Sequence, residues 1–361
     1  MPTRSAAARH IAPTFVVVLV AGVLVVGALV APAYAHRSGS DDDDPRAVAL
    51  LYRAMDATDR LTYAGTQYVS AWSVLDRSYS TSAIVRVQHA GGTTTLFPDH
   101  GTQAVTLPAQ PGSWLAGEDG PIGLLAKAYD VELLGRGQVA GRPAEIVGAR
   151  RSDGSMAARL WLDADYALAL RREVYDKTGR TISASAFIEI EVGPGQSRFV
   201  GVSPNAWASR AGLVASAARL SHADLAALRS SGWRCPSEIG GDLVLFEASR
   251  HDGAIQLSYS DGVATVSVFE QPGQLDPEVL DGFGRTERGD GVVYTLPGPP
   301  SRFVWATGED KVITVIADGS LEAVDSVLAE YPPSEPSSAN SVVHRISRGA
   351  KKLVSWLNPF D

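Results

Sequence analysis

Residues 129–191 alternate short runs of apolar and β-branched positions with turn formers: Gly141-Arg142-Pro143, Asp153-Gly154, Asp163–Tyr166 and Lys177-Thr178-Gly179. This is the pattern of strands joined by tight turns, and it predicts five antiparallel strands in sequence. Upstream, Val48, Leu51, Tyr52 and Met55 recur at helical spacing behind Asp44-Pro45, an N-cap acid followed by proline at the first helical position. Those features predict a helix over 45–59. From Leu61 the period changes: TYAGTQYVSAWS and SYSTSAIVRVQH are rich in β-branched and aromatic residues and predict two long strands, with TTTLF as a third after Gly91-Gly92. Residues 98–120, with Pro98, Pro108 and Pro111, read as a long loop, and Ile122–Tyr129 as a short helix.

Gly193-Pro194-Gly195 closes this unit, and the Ser- and Ala-rich residues 193–220 read as a linker that could hold a helix. A second unit then opens with SHADLAALRS, a helix with Ser221 as N-cap and Asp224 in the capping-box place. Six strands are expected after it, in DLVLFEASR, AIQLSYS, VATVSVFEQ, GVVYTLP, RFVWATG and KVITVIAD, punctuated by Asp252-Gly253, Asp261-Gly262, Asp290-Gly291 and Asp318-Gly319. A helix over Leu321–Tyr331 ends it. The expected class is α+β: a large antiparallel unit over 45–192 and a smaller α+β unit over 221–331.

The chain has 361 residues and a formal net charge of −8, which suits two units with appendages and makes a polyanionic partner such as nucleic acid a poor match. Residues 1–35 carry Arg4 and Arg9, an apolar run from Phe15 to Val30, and Ala33-Tyr34-Ala35. This is either a secretory signal cut after Ala35 or an uncleaved membrane anchor over residues 11–35. Both readings place the remainder outside the cytoplasmic membrane. Asp41–Asp44, within residues 36–44, reads as a solvated acidic spacer, since consecutive aspartates do not converge easily on one ion. Cys235, the only cysteine, reads as a small buried thiol.

No residue pattern supplies catalysis. The histidines lack H-x-H, H-E-x-x-H or C-x-x-C company, so no metal site is expected, and no nucleophile elbow or phosphate loop occurs in a strand–turn–helix setting. Ser260-Asp261 reads as the end of a strand entering a turn. No catalytic residue and no cofactor is expected. The chain instead reads as a binding protein whose sheet could enclose an apolar cavity, with Tyr63, Tyr68, Trp72 and Trp161 available either to line it or to pack the sheet against its helix.

Several pieces resemble the MucB/RseB family of exported regulators of envelope-stress sigma-factor pathways. They are Val139–Ala144, Arg159-Leu160-Trp161-Leu162-Asp163, Leu168–Leu170 and Asp176…Gly179, with Leu61–Thr66, Val85–His89 and Gln256–Phe269 on either side. The resemblance implies an N-terminal half-barrel like the lipoprotein carriers LolA and LolB, enclosing a helix, and a smaller C-terminal domain. It also implies a function: binding the extracytoplasmic part of a membrane anti-sigma factor, with a lipid as a second ligand. The alternative is an envelope lipid or lipoprotein carrier without a signalling partner.

PPSEPSSAN (332–340) reads as a linker to a basic amphipathic tail, residues 341–361. Leu353 falls on its apolar stripe, Arg345, Arg348, Lys351 and Lys352 fall beside it, and Trp356 lies near its end. The tail is expected to contact a membrane surface or a partner, and the other reading is a helix docked on the second unit.

Overall fold

The computed structural model describes residues 43–90, 93–98, 105–107, 120–193, 218–251, 253–277, 280, 282–308, 310–318 and 321–334. The leader, most of the acidic spacer, residues 194–217 and the tail bearing Arg345, Arg348, Lys351, Lys352, Leu353 and Trp356 lie outside them.

The first lobe begins with α1 (Pro45–Arg60), where the Asp44 side chain accepts from the Arg46 N–H, as the N-cap reading requires. Strands β1 (Tyr63–Trp72), β2 (Ser80–Ala90), β3 (Thr93–Pro98) and β4 (Val105–Leu107) follow, then α2 (Gly120–Ala128). The predicted five strands are β5 (Asp130–Val139), β6 (Arg142–Arg150), β7 (Met156–Asp163), β8 (Ala169–Tyr175) and β9 (Thr181–Val192). Among the described residues these nine form one antiparallel sheet in the order β4-β3-β2-β1-β9-β8-β7-β6-β5. The strand β4 falls inside the stretch read as a loop, where the prolines on both sides hide a three-residue segment.

Both helices pack on one face of this sheet. Leu50, Leu51 and Met55 of α1 and Ile122 and Leu125 of α2 share a core with Val131, Val147, Leu160 and Val174. The sequence suggested one enclosed helix; the sheet carries two on that face. The acidic spacer is also shorter than expected. Asp43 Oδ1 accepts from the Val131 N–H at 2.8 Å and Asp44 caps α1, so the last two aspartates tie the chain to β5.

The family-like pieces share a structural task. Ala140 and Gly141, both at positive φ (50° and 75°), turn β5 into β6, a hairpin geometry that favours glycine at the second position. Next to it, the Arg142 guanidinium pairs with the fully buried carboxylate of Asp163 at the end of β7. Asp163 Oδ1 also accepts from the N–H groups of Asp165 and Tyr166 at 3.0 and 2.9 Å, shaping the turn into β8. Burial pushes the Asp163 carboxyl up, but Arg142 and the turn N–H groups outweigh it and hold it below the usual carboxylate range.

The second lobe contains β10 (Ala218–Arg219), α3 (His222–Ser230), β11 (Glu238–Ile239), β12 (Leu243–His251), β13 (Ala254–Ser260), β14 (Thr265–Pro272), β15 (Gly284–Arg288), β16 (Gly291–Leu296), β17 (Ser301–Thr307), β18 (Lys311–Ala317) and α4 (Leu321–Glu330). Its sheet runs β10-β12-β13-β14-β18-β17-β16-β15, with β11 paired to β12. At α3 the Ser221–Asp224 capping box forms with aspartate in the place usually held by glutamate. Its core gathers Leu225, Tyr259, Val268, Trp305, Val315 and Val327, separate from that of the first lobe. Cys235 belongs to it at 2% exposure, and burial, helped by Glu270, pushes its thiol up to about 11. A disulfide-exchange reagent should therefore leave Cys235 unmodified in the native protein and titrate one thiol after denaturation.

Candidate functional site

Register across the first sheet decides which side chains share a face. Ile84 (β2), Tyr68 (β1), Ala186 (β9), Arg171 (β8), Trp161 (β7) and Ile146 (β6) stand directly opposite one another in a row across six strands. Leu160, Arg172 and Ser185, each one residue away, form the matching row on the helix-bearing side. Among the described residues the first row is the uncovered face, open at β1 and β2, where Tyr68 is 44% and Ile84 41% exposed, and half-buried at Trp161 and Ile146. A bulge opposite Thr66/Gln67 adds Ile188 to it, at 55% exposure.

Arginines lie over aromatic rings along this lobe. The Arg171 guanidinium sits 4.5 Å from the Trp161 ring centroid and pairs with Glu173, and Arg142 sits 5.3 Å from Tyr166. Tyrosine, tryptophan and arginine on a face with isolated apolar neighbours are the residue types that anchor protein partners.

The four aromatics singled out in the sequence do not gather in one cavity. Tyr68 and Trp161 stand in the uncovered row. Tyr63 is buried beneath the sheet, stacked on His89 at 5.0 Å and edge-on to Phe187 at 6.2 Å. Burial raises its phenol above the ordinary range and lowers His89, whose Nδ1 lies 2.8 Å from Thr94 Oγ1. Trp72 reaches a different place, a cavity of about 170 Å³ between the two lobes, which it lines with Ile182, Pro299, Pro300, Ile316 and Asp318. Alternation along a strand separates its two faces, but nothing in the spacing says which face another element will cover.

The seam between the lobes is polar as well as apolar. Tyr129 donates to Asp261 Oδ2 at 2.6 Å, Ser73 and Ser301 place their hydroxyl oxygens 3.3 Å apart, and Arg172 donates to the Val263 carbonyl. Asp318 Oδ1 accepts from the Thr265 N–H at 2.7 Å, and burial pushes its carboxyl up to about 6 despite that bond and the field of Arg172. The assembled protein therefore binds this proton more tightly than the unfolded chain. The stabilisation Asp318 confers by holding its proton is fully present below pH ~4, the ordinary carboxylate range, and is lost as pH rises through about 6. Carbon NMR of the Asp318 carboxyl should show a midpoint near 6.

Ser260 is committed to its turn, donating to the Ala264 carbonyl at 2.8 Å and accepting from the Gly262 N–H at 3.0 Å. Among the described residues, no three His, Cys, Asp or Glu side chains group as metal ligands, and no helix is long and apolar enough to cross a membrane.

Comparison with known proteins bears on this architecture. The family model for the MucB/RseB N-terminal domain matches residues 80–211, from the first residue of β2 past the end of β9. This stretch is similar to the MucB/RseB N-terminal domain. Within it lie the Arg142–Asp163 pair, the Arg171–Trp161 pair and most of the uncovered row. No curated protein matches the sequence. Similar solved structures include MucB in complex with MucA(peri), at 20% identity over 80% of this chain and 99% of that one, with a TM-score of 0.48. The Pseudomonas aeruginosa MucA/MucB complex stands at 19% identity with the same coverage and score. Mycobacterium tuberculosis lipoprotein LppX, at 16% identity and a TM-score of 0.27, is covered fully by 45% of this chain.

Proposed function

We propose that this protein is an exported, non-enzymatic negative regulator that grips the extracytoplasmic part of a membrane anti-sigma factor. The match of residues 80–211 to the MucB/RseB N-terminal domain carries this reading. The uncovered row of the first sheet supports it physically, offering Tyr68, Ile84, Ile188, Trp161 and Arg171 to a partner segment. In this reading the first lobe is a LolA-like half-barrel used for protein binding, residues 11–35 export or anchor it, and a lipid competes with the partner. The basic tail adds membrane contact, for which co-sedimentation of residues 341–361 with anionic liposomes is the test; pelleting independent of lipid charge would remove that part.

Affinity capture from solubilised membranes, followed by mass spectrometry, tests the whole reading. The expected catch is a membrane protein whose cytoplasmic part holds a sigma factor. Tyr68→Asp with Trp161→Asp should reduce its recovery by about tenfold or more, the effect of losing one or two interface anchors. Recovery of acylated molecules without such a protein would favour the carrier reading instead.

A further inference from the structure

One of the contacts between the lobes carries a turn of the second into the core of the first. Residues 261–264, between β13 and β14, leave the second lobe and enter the core of the first, where Val263 is 7% exposed and clusters with the residues under α1 and α2. Asp261 shapes the turn from within, its Oδ1 accepting from the Val263 and Ala264 N–H groups at 2.8 and 2.7 Å. Its Oδ2 accepts the Tyr129 hydroxyl of the first lobe. Gly262 holds φ at +89°, and a Cβ there would lie 2.6 Å from both the backbone nitrogen and the Cβ of Leu125 in α2. No other residue fits that approach without displacing the helix. From the sheet side, Arg172 donates to the Val263 carbonyl, so the turn is held on two flanks.

Among the described residues each lobe otherwise has a core of its own, and Val263 alone crosses into the other lobe's cluster. Two further charged ties between the lobes are exposed: Lys127–Glu238 at 3.3 Å and Lys177–Glu322 at 3.5 Å. Such surface pairs contribute little. Buried donors and acceptors behave differently, because losing one partner strands the other away from water. We infer that the 261–264 turn is a latch: it holds the lobes in one orientation, and unseating it separates them while each stays folded. This device is independent of the partner proposed above.

Spin labels on Arg136→Cys and Arg285→Cys, one on each lobe, would report the inter-lobe distance while Cys235 stays buried and unlabelled. The full chain should give one narrow distribution. Gly262→Val and Arg172→Met should broaden it with circular dichroism unchanged, whereas the rim variant Lys127→Met should leave it narrow. A narrow distribution in folded Gly262→Val and Arg172→Met proteins would overturn the latch.

Should either variant fail to fold, Tyr129→Phe removes only a hydroxyl. It should speed amide exchange at Val263 and Ala264 roughly tenfold, the effect of one hydrogen bond, with the β13–β14 ladder unaffected. Unchanged exchange there would equally count against it.

Discussion

Trp305→Ala should destabilise the second lobe by about 3–5 kcal/mol in urea unfolding, the largest single effect expected in this protein. Trp305 is fully buried on β17, between Val293 and Ile313 on the neighbouring strands. Its indole N–H donates to the Tyr331 carbonyl at 2.7 Å, at the end of α4. Alanine would leave a cavity in the middle of the core and take away that carbonyl's donor. Trp305→Phe keeps most of the volume and loses the bond, so it should cost about 1–2 kcal/mol. Equal losses for the two variants would contradict the assignment of most of the effect to packing.

Lys311→Met should follow at about 3 kcal/mol, through electrostatics instead of volume. Glu270 is 1% exposed, and the Lys311 ammonium approaches its Oε1 at 2.7 Å while also donating to the Gly232 carbonyl. The Arg234 N–H lies 3.1 Å from Glu270 Oε2. Removing the ammonium leaves a buried carboxylate supported mainly by hydrogen bonds. In a Glu270→Gln background that charge is gone, so Lys311→Met should cost far less there. A double-mutant cycle by chemical denaturation reads this directly, and additive losses would show that the pair is not coupled.

Much of the fold was legible because local signals agreed with one another. Asp44-Pro45 marked the start of α1, Ser221 with Asp224 capped α3, and Asp-Gly steps stood at several strand junctions of the second lobe. What escaped had no such signal. The strand Gly284–Arg288 is exposed at every position, so its sequence GRTER shows no apolar face. The two-residue strands β10 and β11 are too short for any period to register. Asp43 looked like solvated charge because its partner, the Val131 N–H, lies far away in the chain.

The site was less readable than the fold. Arg172 stands in Leu170-Arg171-Arg172-Glu173, which reads as a solvent-facing run, yet the two arginines point to opposite faces. One lies over Trp161, and the other reaches the second lobe. Asp318 looked like a turn aspartate and instead lines the inter-lobe cavity. Only the packing of one lobe on the other distinguishes these roles.

RNA sequencing of unstressed cells lacking the gene tests the proposed regulation most directly. The genes under one alternative sigma factor should rise together and return to their resting level when the intact chain is restored. A resting transcriptome left unchanged by the deletion would contradict the account.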